Sequence, residues 1–155
     1  VYINHMNKSV RGFTLIEILI VIGIIAILAA IVIVAINPAK QFAQARNTQR
    51  ESNVNTILNA IGQNLADHKG VFTCSGIGTA IGSGTTTIGS GSGNSDLADC
   101  LVPTYIPQMV MDPDGGTLAN TGYEVSVDSV GRYLVCAPKG AEAAIPGSDD
   151  ICVKR

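Results

Sequence analysis

The chain has 155 residues, of which 46% are hydrophobic and only 14% are charged, and its formal net charge is −2. This length fits one domain, or one domain with an appended segment. The apolar residues are concentrated near the N-terminus, which excludes a purely soluble protein. The slightly negative charge argues against a protein that binds nucleic acid strongly by neutralising phosphates.

An uncharged and strongly apolar run extends from Ile18 to Ile36. A helix needs about 20 such residues to cross the hydrocarbon core of a membrane, so the run predicts a membrane-spanning helix. A cleaved secretory signal is disfavoured, because Glu17 precedes the run and no small-residue cleavage site directly follows it.

Glu17 is the most informative residue of this segment. A carboxylate in an apolar membrane helix is costly and usually has a partner, although one near the interface can reach the headgroups. Cleavage between Gly12 and Phe13 would create an α-ammonium group one helical turn before Glu17. That group is largely protonated at neutral pH, because its pKa is near ~8. The sequence therefore predicts a Phe13–Glu17 ion pair, within one helix or between neighbouring subunits.

The residues around this bond resemble the processing site of type IV pilins and pseudopilins. The match consists of a basic leader with Lys8 and Arg11, Gly12 before the cut, Phe13 after it, and Glu17 shortly downstream. The resemblance implies that a prepilin peptidase cleaves after Gly12 and N-methylates Phe13. It also implies that Glu17 helps to position each incoming subunit in a helical filament.

The start of the leader has two interpretations. Met6 is an internal candidate start, which would give the short leader that the resemblance implies. Residues 1–5 would then be upstream sequence or the product of an alternative start codon.

A second helical segment follows Pro38. It carries an apolar stripe at spacings of three and four, which predicts an amphipathic helix that docks on a globular head. The stripe consists of Val54, Ile57, Leu58, Ile61 and Leu65. We expect one long helix over about 13–67 with a bend near Pro38, because proline loosens a helix. Residues 40–53 offer few apolar side chains, so we expect them to stand clear of the head.

All cysteines lie beyond this helix, at Cys74, Cys100, Cys136 and Cys152. Zinc binding is disfavoured, because there is no C-x-x-C pair and the chain has only two histidines. In a small head, the four cysteines predict disulfides and therefore an oxidising compartment outside the cytoplasm. Three pairings are possible. Cys74–Cys100 and Cys136–Cys152 are favoured, since each closes a local loop.

Strand patterns occur only in the second half of the chain. Alternating residues predict a strand over 123–128, and a turn leads into a second strand over 132–137, which makes a hairpin. The second strand is apolar on both faces, which favours a central position. A third strand is expected near 85–89 or 150–154. The Gly/Ser/Thr-rich stretch 75–95 predicts a loop or a weak strand.

The acidic turn that begins at Asp112 is a candidate calcium-binding site, since some pseudopilins bind calcium in this part of the head. The spacing fails the EF-hand pattern, so a plain turn is preferred and no metal site is predicted. Asp112, Asp114 and Asp128 stay as weak candidate ligands.

These features predict an α+β protein: a long N-terminal α-helix, half membrane-spanning and half amphipathic, packed on a small antiparallel β-sheet head with disulfides. The predicted organisation is a removed leader at 1–12, a transmembrane or filament-core helix half at 13–37, an amphipathic helix half at 38–69 and a globular head at 70–155.

No catalytic constellation is present, so we expect neither an enzyme nor a cofactor. The resemblance implies a structural subunit of a type IV pilus. Its partners would be identical subunits, the prepilin peptidase, the pilus assembly platform and, before assembly, membrane lipid. The protein would cross the cytoplasmic membrane once with its head outside, and later lie in an extracellular pilus. The alternatives are a pseudopilin of a type II secretion or DNA-uptake machine, and an unpolymerised single-pass anchored binding module.

Overall fold

A computed structural model of the chain describes residues 12–74 and 81–155. The chain divides into two units, Val1–Pro38 and Ala39–Arg155. All of the predicted leader except Gly12 lies outside the described residues, and so does the 75–80 stretch of the predicted Gly/Ser/Thr loop.

Helix α1 spans Leu15–Ile36 in the first unit. None of its residues is buried. Among the described residues, it is the one helix that is long and apolar enough to cross a membrane, judged by length and composition. It begins two residues after Phe13, the residue that follows the predicted cleavage site, and contains the whole apolar run.

The single helix predicted over 13–67 is interrupted at Asn37. Helix α1 ends at Ile36, Asn37 has a left-handed backbone with φ of +46°, and helix α2 begins at Pro38. The residue before a proline avoids the helical region, and asparagine tolerates the left-handed one. Proline is also favoured at the first position of a helix. Pro38 therefore begins a new helix rather than bending a continuous one.

Helix α2 spans Pro38–Asp67 and supplies one wall of the head's core. The predicted apolar stripe is confirmed, since Val54, Ile57 and Ile61 are fully buried and Leu58 nearly so. The helix ends in a left-handed turn in which the amide of Gly70, with φ of +87°, donates to the carbonyl of Leu65 at 2.7 Å. A glycine in this conformation is a common helix C-cap.

From its composition we expected the first half of α2 to stand clear of the head, but it does not. Ala43, Arg50 and Asn53 are all buried in the second unit. The expectation was wrong because a charged or polar side chain can be buried when it has a partner. Arg50 and Asn53 both have hydrogen-bond partners in the head.

The described residues of the head form a sheet of four antiparallel strands in the order β1-β2-β3-β4. The strands are β1 (Thr86–Thr87), β2 (Glu124–Val127), β3 (Tyr133–Ala137) and β4 (Ile151–Lys154). A short helix, α3 (Ala98–Leu101), lies between β1 and β2 in the chain. The predicted hairpin is β2–β3, and β3 has the central position that its apolar faces favoured. Both candidate regions for a third strand form strands, β1 and β4, at the two edges of the sheet.

Two disulfides join parts of the head. Cys74 pairs with Cys100 at a Cα–Cα distance of 4.8 Å, and Cys136 pairs with Cys152 at 4.1 Å. The second disulfide links directly opposed residues of β3 and β4. Opposed residues approach closest where an antiparallel pair exchanges no backbone hydrogen bonds.

The described helices and the antiparallel sheet together confirm the α+β class predicted from the sequence.

Candidate processing and assembly site

The predicted cleavage point lies in open, non-helical backbone just before α1. Gly12 is exposed with no neighbouring atoms near the position of a Cβ, and Phe13 is 85% exposed. A peptidase must draw a scissile segment into its own cleft, which a helix resists because its backbone groups are already bonded. The Gly12–Phe13 bond is therefore accessible in the uncut chain.

Thr14 and Glu17 form a reciprocal capping box at the start of α1. The Thr14 hydroxyl accepts a hydrogen bond from the Glu17 amide at 3.2 Å. In return, the Glu17 carboxylate accepts bonds from the Thr14 amide at 2.7 Å and the Thr14 hydroxyl at 2.8 Å. The box satisfies backbone donors that the first helical turn leaves free.

The capping box fixes the position of the Glu17 carboxylate. It lies at the N-terminal end of the helix, where the helix dipole also favours negative charge. The Thr14 amide that it binds belongs to the peptide joining Phe13 to Thr14. Sequence reasoning named Gly12, Phe13 and Glu17 but missed Thr14. The signal was present, because Thr14-x-x-Glu17 has the spacing of a capping box.

The rest of α1 presents an apolar surface on every side. Its large apolar side chains, from Leu15 to Ile36, are all half or more exposed. A helix that is apolar all round is stable only when lipid or other apolar segments cover it. The site thus combines one anchored carboxylate with an uncovered apolar helix.

The weak calcium candidates do not come together in the structure. Asp112 is fully buried, and its two carboxylate oxygens accept from Arg50 at 2.7 and 3.1 Å. Asp128 binds Arg132 within the β2–β3 turn, and Asp114 faces Lys139. Within 12–74 and 81–155, no group of three or more potential metal-ligating side chains is present.

Arg50 belongs to an ionic cluster that sequence reasoning did not find. Besides Asp112, its guanidinium donates to Glu142 at 2.5 Å, and Glu142 also accepts two bonds from Arg46, both at 2.7 Å. Asn53, one turn further along α2, donates to the Tyr123 hydroxyl at 2.8 Å. No spacing rule links these residues, since they come from distant parts of the chain.

The cluster shifts the ionisation of its members. Hydrogen bonds from Arg46 and then Arg50 lower the pKa of Glu142 to about 2. Desolvation alone would lower the pKa of Arg50, but its hydrogen bonds to Asp112 and Glu142 outweigh it and the pKa is raised. Both groups therefore stay charged over the physiological range, and the cluster ties α2 to two loops of the head.

Residues 7–33 match the family model of the prokaryotic N-terminal methylation motif. This motif is the signature of type IV pilins and pseudopilins, and it covers the capping box and most of α1. Neither the curated proteins nor the solved structures contain a match to the chain. The chain therefore carries the methylation motif of type IV pilins and pseudopilins in its N-terminal segment, and this motif and the apolar helix indicate membrane anchoring.

Proposed function

We propose that the chain is a structural subunit of a type IV pilus and acts without catalysis or a cofactor. A prepilin peptidase would cleave after Gly12 and methylate the new amino group of Phe13. The observation that carries the proposal is the position of the Glu17 carboxylate at the start of an apolar helix that has no buried residue. The carboxylate already binds the Thr14 amide, so the new ammonium group would form one residue away.

The apolar surface of α1 is suited to two successive apolar surroundings. The helix would lie in the membrane before assembly and in the core of a filament afterwards. Both surroundings are apolar, so the transfer itself costs little hydrophobic free energy. An unpaired charge buried in the core would cost about 3–5 kcal/mol, so the Phe13–Glu17 pair would select the subunit register in which both charges meet.

The head supports an extracellular location. Its two disulfides are stable in oxidising compartments outside the cytoplasm, and both lie in the unit that follows α1. The buried Arg50–Asp112 pair favours a pilin over a calcium-dependent pseudopilin, because Arg50 already occupies the carboxylate of the candidate metal ligand.

The test compares Glu17→Gln with Glu51→Gln, which removes an exposed acid of α2. We expect Glu17→Gln to abolish surface filaments while the protein remains in the membrane, and Glu51→Gln to leave filaments unchanged. The mass of the N-terminal peptide is measured in parallel, and a methylated Phe13 terminus is expected. Filaments that persist in Glu17→Gln would refute the assembly role, and an intact leader would indicate an unpolymerised anchored module.

A further inference from the structure

In the part of the chain that the structure describes, the outer edge of β4 is an unpaired sheet edge. Within the sheet, β4 pairs only with β3. Tyr133 and Arg155 exchange both backbone hydrogen bonds across this pair, at 2.7 and 2.9 Å. Because hydrogen-bonded and non-bonded pairs alternate in an antiparallel ladder, the backbone groups of Cys152 and Lys154 point away from β3. Among the described residues, neither makes a backbone hydrogen bond outside the sheet, and both residues are exposed.

The charges along this edge are arranged in a self-complementary way. Asp149 and Asp150 precede the strand, and Lys154 and Arg155 end it, with Ile151, Cys152 and Val153 between them. Both acids are exposed, and the ion pairs of the described residues include neither of them. Lys154 has one ion-pair partner, Asp128, at 3.4 Å, and Arg155 donates to Asn59.

We propose that β4 pairs antiparallel with β4 of a second copy of this chain, in the register centred on Cys152. In this register Asp150 faces Lys154, Asp149 faces Arg155, and Ile151 faces Val153 of the other copy. The centre of the register falls on a residue whose backbone groups point outward, so the free donors and acceptors of the two edges meet. Opposite charges at facing positions stabilise an antiparallel pair.

The order of acidic and basic residues along β4 favours a second copy of the chain as the partner, and it favours this register. Sliding the two strands by two residues in either direction separates every acid from every base. A parallel, in-register pairing would place like charges side by side, which is destabilising. Charged residues at a sheet edge commonly prevent edge-to-edge association, but these charges favour it when the partner is an antiparallel copy of the same strand.

The proposed contact differs in symmetry from a filament contact. A two-fold pairing uses the same surface on both copies and is complete after two subunits. It therefore joins two heads and does not propagate a filament, so the inference is independent of whether the chain polymerises through α1.

The test uses the full-length protein in detergent micelles and a carbodiimide, which joins a carboxylate to an amine only when the two are in contact. We expect a covalent dimer whose linked peptides contain Asp150 and Lys154. In one chain these residues lie too far apart along the extended strand for such a link. A dimer linked only through other residues, or a monomer at all concentrations, would overturn the inference.

Charge reversal sharpens the test. Asp150→Lys and Lys154→Asp should each lose the dimer when alone, because like charges then face each other, and an equal mixture of the two should regain it. Glu51→Lys is the matched control on α2 and should retain the dimer. Asp150→Lys leaves the Lys154–Asp128 pair in place, so it remains informative if Lys154→Asp does not fold. Loss without recovery in the mixture would argue against the register.

Amide exchange tests the backbone pairing itself. The amides of Cys152 and Lys154 should exchange quickly at low protein concentration and slow at least tenfold as the dimer forms. The amides of Val153 and Arg155, which face β3, should be protected at every concentration. Equal protection of all four at low concentration would show that the edge is already covered and would refute the proposal.

Discussion

The guanidinium of Arg50 lies in the head without solvent contact, bonded to Asp112 and Glu142. Replacing the residue with methionine would keep much of its volume but leave Asp112 buried without its counter-ion. Because an uncompensated buried charge is strongly destabilising, we expect Arg50→Met to lower the free energy of unfolding by about 3–5 kcal/mol. Urea unfolding of the micelle-bound protein, followed by the near-ultraviolet dichroism of its tyrosines, measures this loss.

Arg132→Met is the control for that substitution. Arg132 is also paired with an aspartate, Asp128, but its side chain is 58% exposed. Exposed ion pairs contribute little, so the expected loss is under about 1 kcal/mol. Equal losses in the two variants would show that burial of the Arg50 cluster does not contribute to stability.

Glu142 makes the stability of the head depend on pH. Its pKa is lowered to about 2 in the folded chain, from an ordinary value of 4.5. A lowered folded-state pKa adds stability above the unfolded pKa, and this contribution is lost as the pH falls from about 4.5 towards 2. We expect the unfolding free energy of Glu142→Gln to decline less steeply in this window than that of the original chain. Parallel slopes in urea titrations at successive pH values would contradict this.

At the scale of elements, the loop after Asp112 depends on a glycine. A Cβ at Gly116 would lie 2.4 Å from the Asp112 amide nitrogen and 2.8 Å from the Thr121 carbonyl oxygen. Both are backbone atoms of the loop that supplies the Arg50 partner, so the clash cannot be relieved by a rotamer change. We expect Gly116→Ala to destabilise the head by about 1–3 kcal/mol, measured by the same urea unfolding.

Gly62→Ala is the matched control. Gly62 lies inside α2, and a Cβ there would have no neighbour within 4 Å. Alanine is the better helix former by roughly 1 kcal/mol, so this variant should be more stable than the original chain. Stabilisation by both alanines would show that the loop around Asp112 can move to accommodate a side chain.

The elements also show which features a sequence can reveal. Hairpin β2–β3 and the apolar stripe of α2 follow from local periodicity, and the capping box follows from the Thr14–Glu17 spacing. The burial of Arg50 does not, because its partners lie far along the chain and the charge itself indicates an exposed face. The break at Asn37 was predicted only in part. Pro38 indicates that the helix is not regular at this point, but it does not indicate whether the helix bends or ends and begins again.

At the scale of the whole molecule, the two units differ in what covers their apolar residues. Helix α1 has no buried residue, and within 12–74 and 81–155 every buried residue of the core belongs to the unit Ala39–Arg155. The head can therefore be stabilised by its own core and disulfides, whereas α1 depends on lipid or on other helices. The membrane and assembly roles that we propose would thus be concentrated in one helix.

The two disulfides should stabilise the head as one cooperative unit. Cys136 and Cys152 are 16 positions apart, and Cys74 and Cys100 are 26 apart. In the chain-entropy model each crosslink contributes about 3 kcal/mol, and the longer loop adds only about 0.4 kcal/mol more. We expect serine substitution of either pair to lower the unfolding free energy by this amount in a single transition. Removing both pairs should cost roughly the sum, because the crosslinks close separate loops. Two resolved unfolding transitions would show that the head is not a single folding unit, and no loss from one of the pairs would show that its crosslink does not add stability.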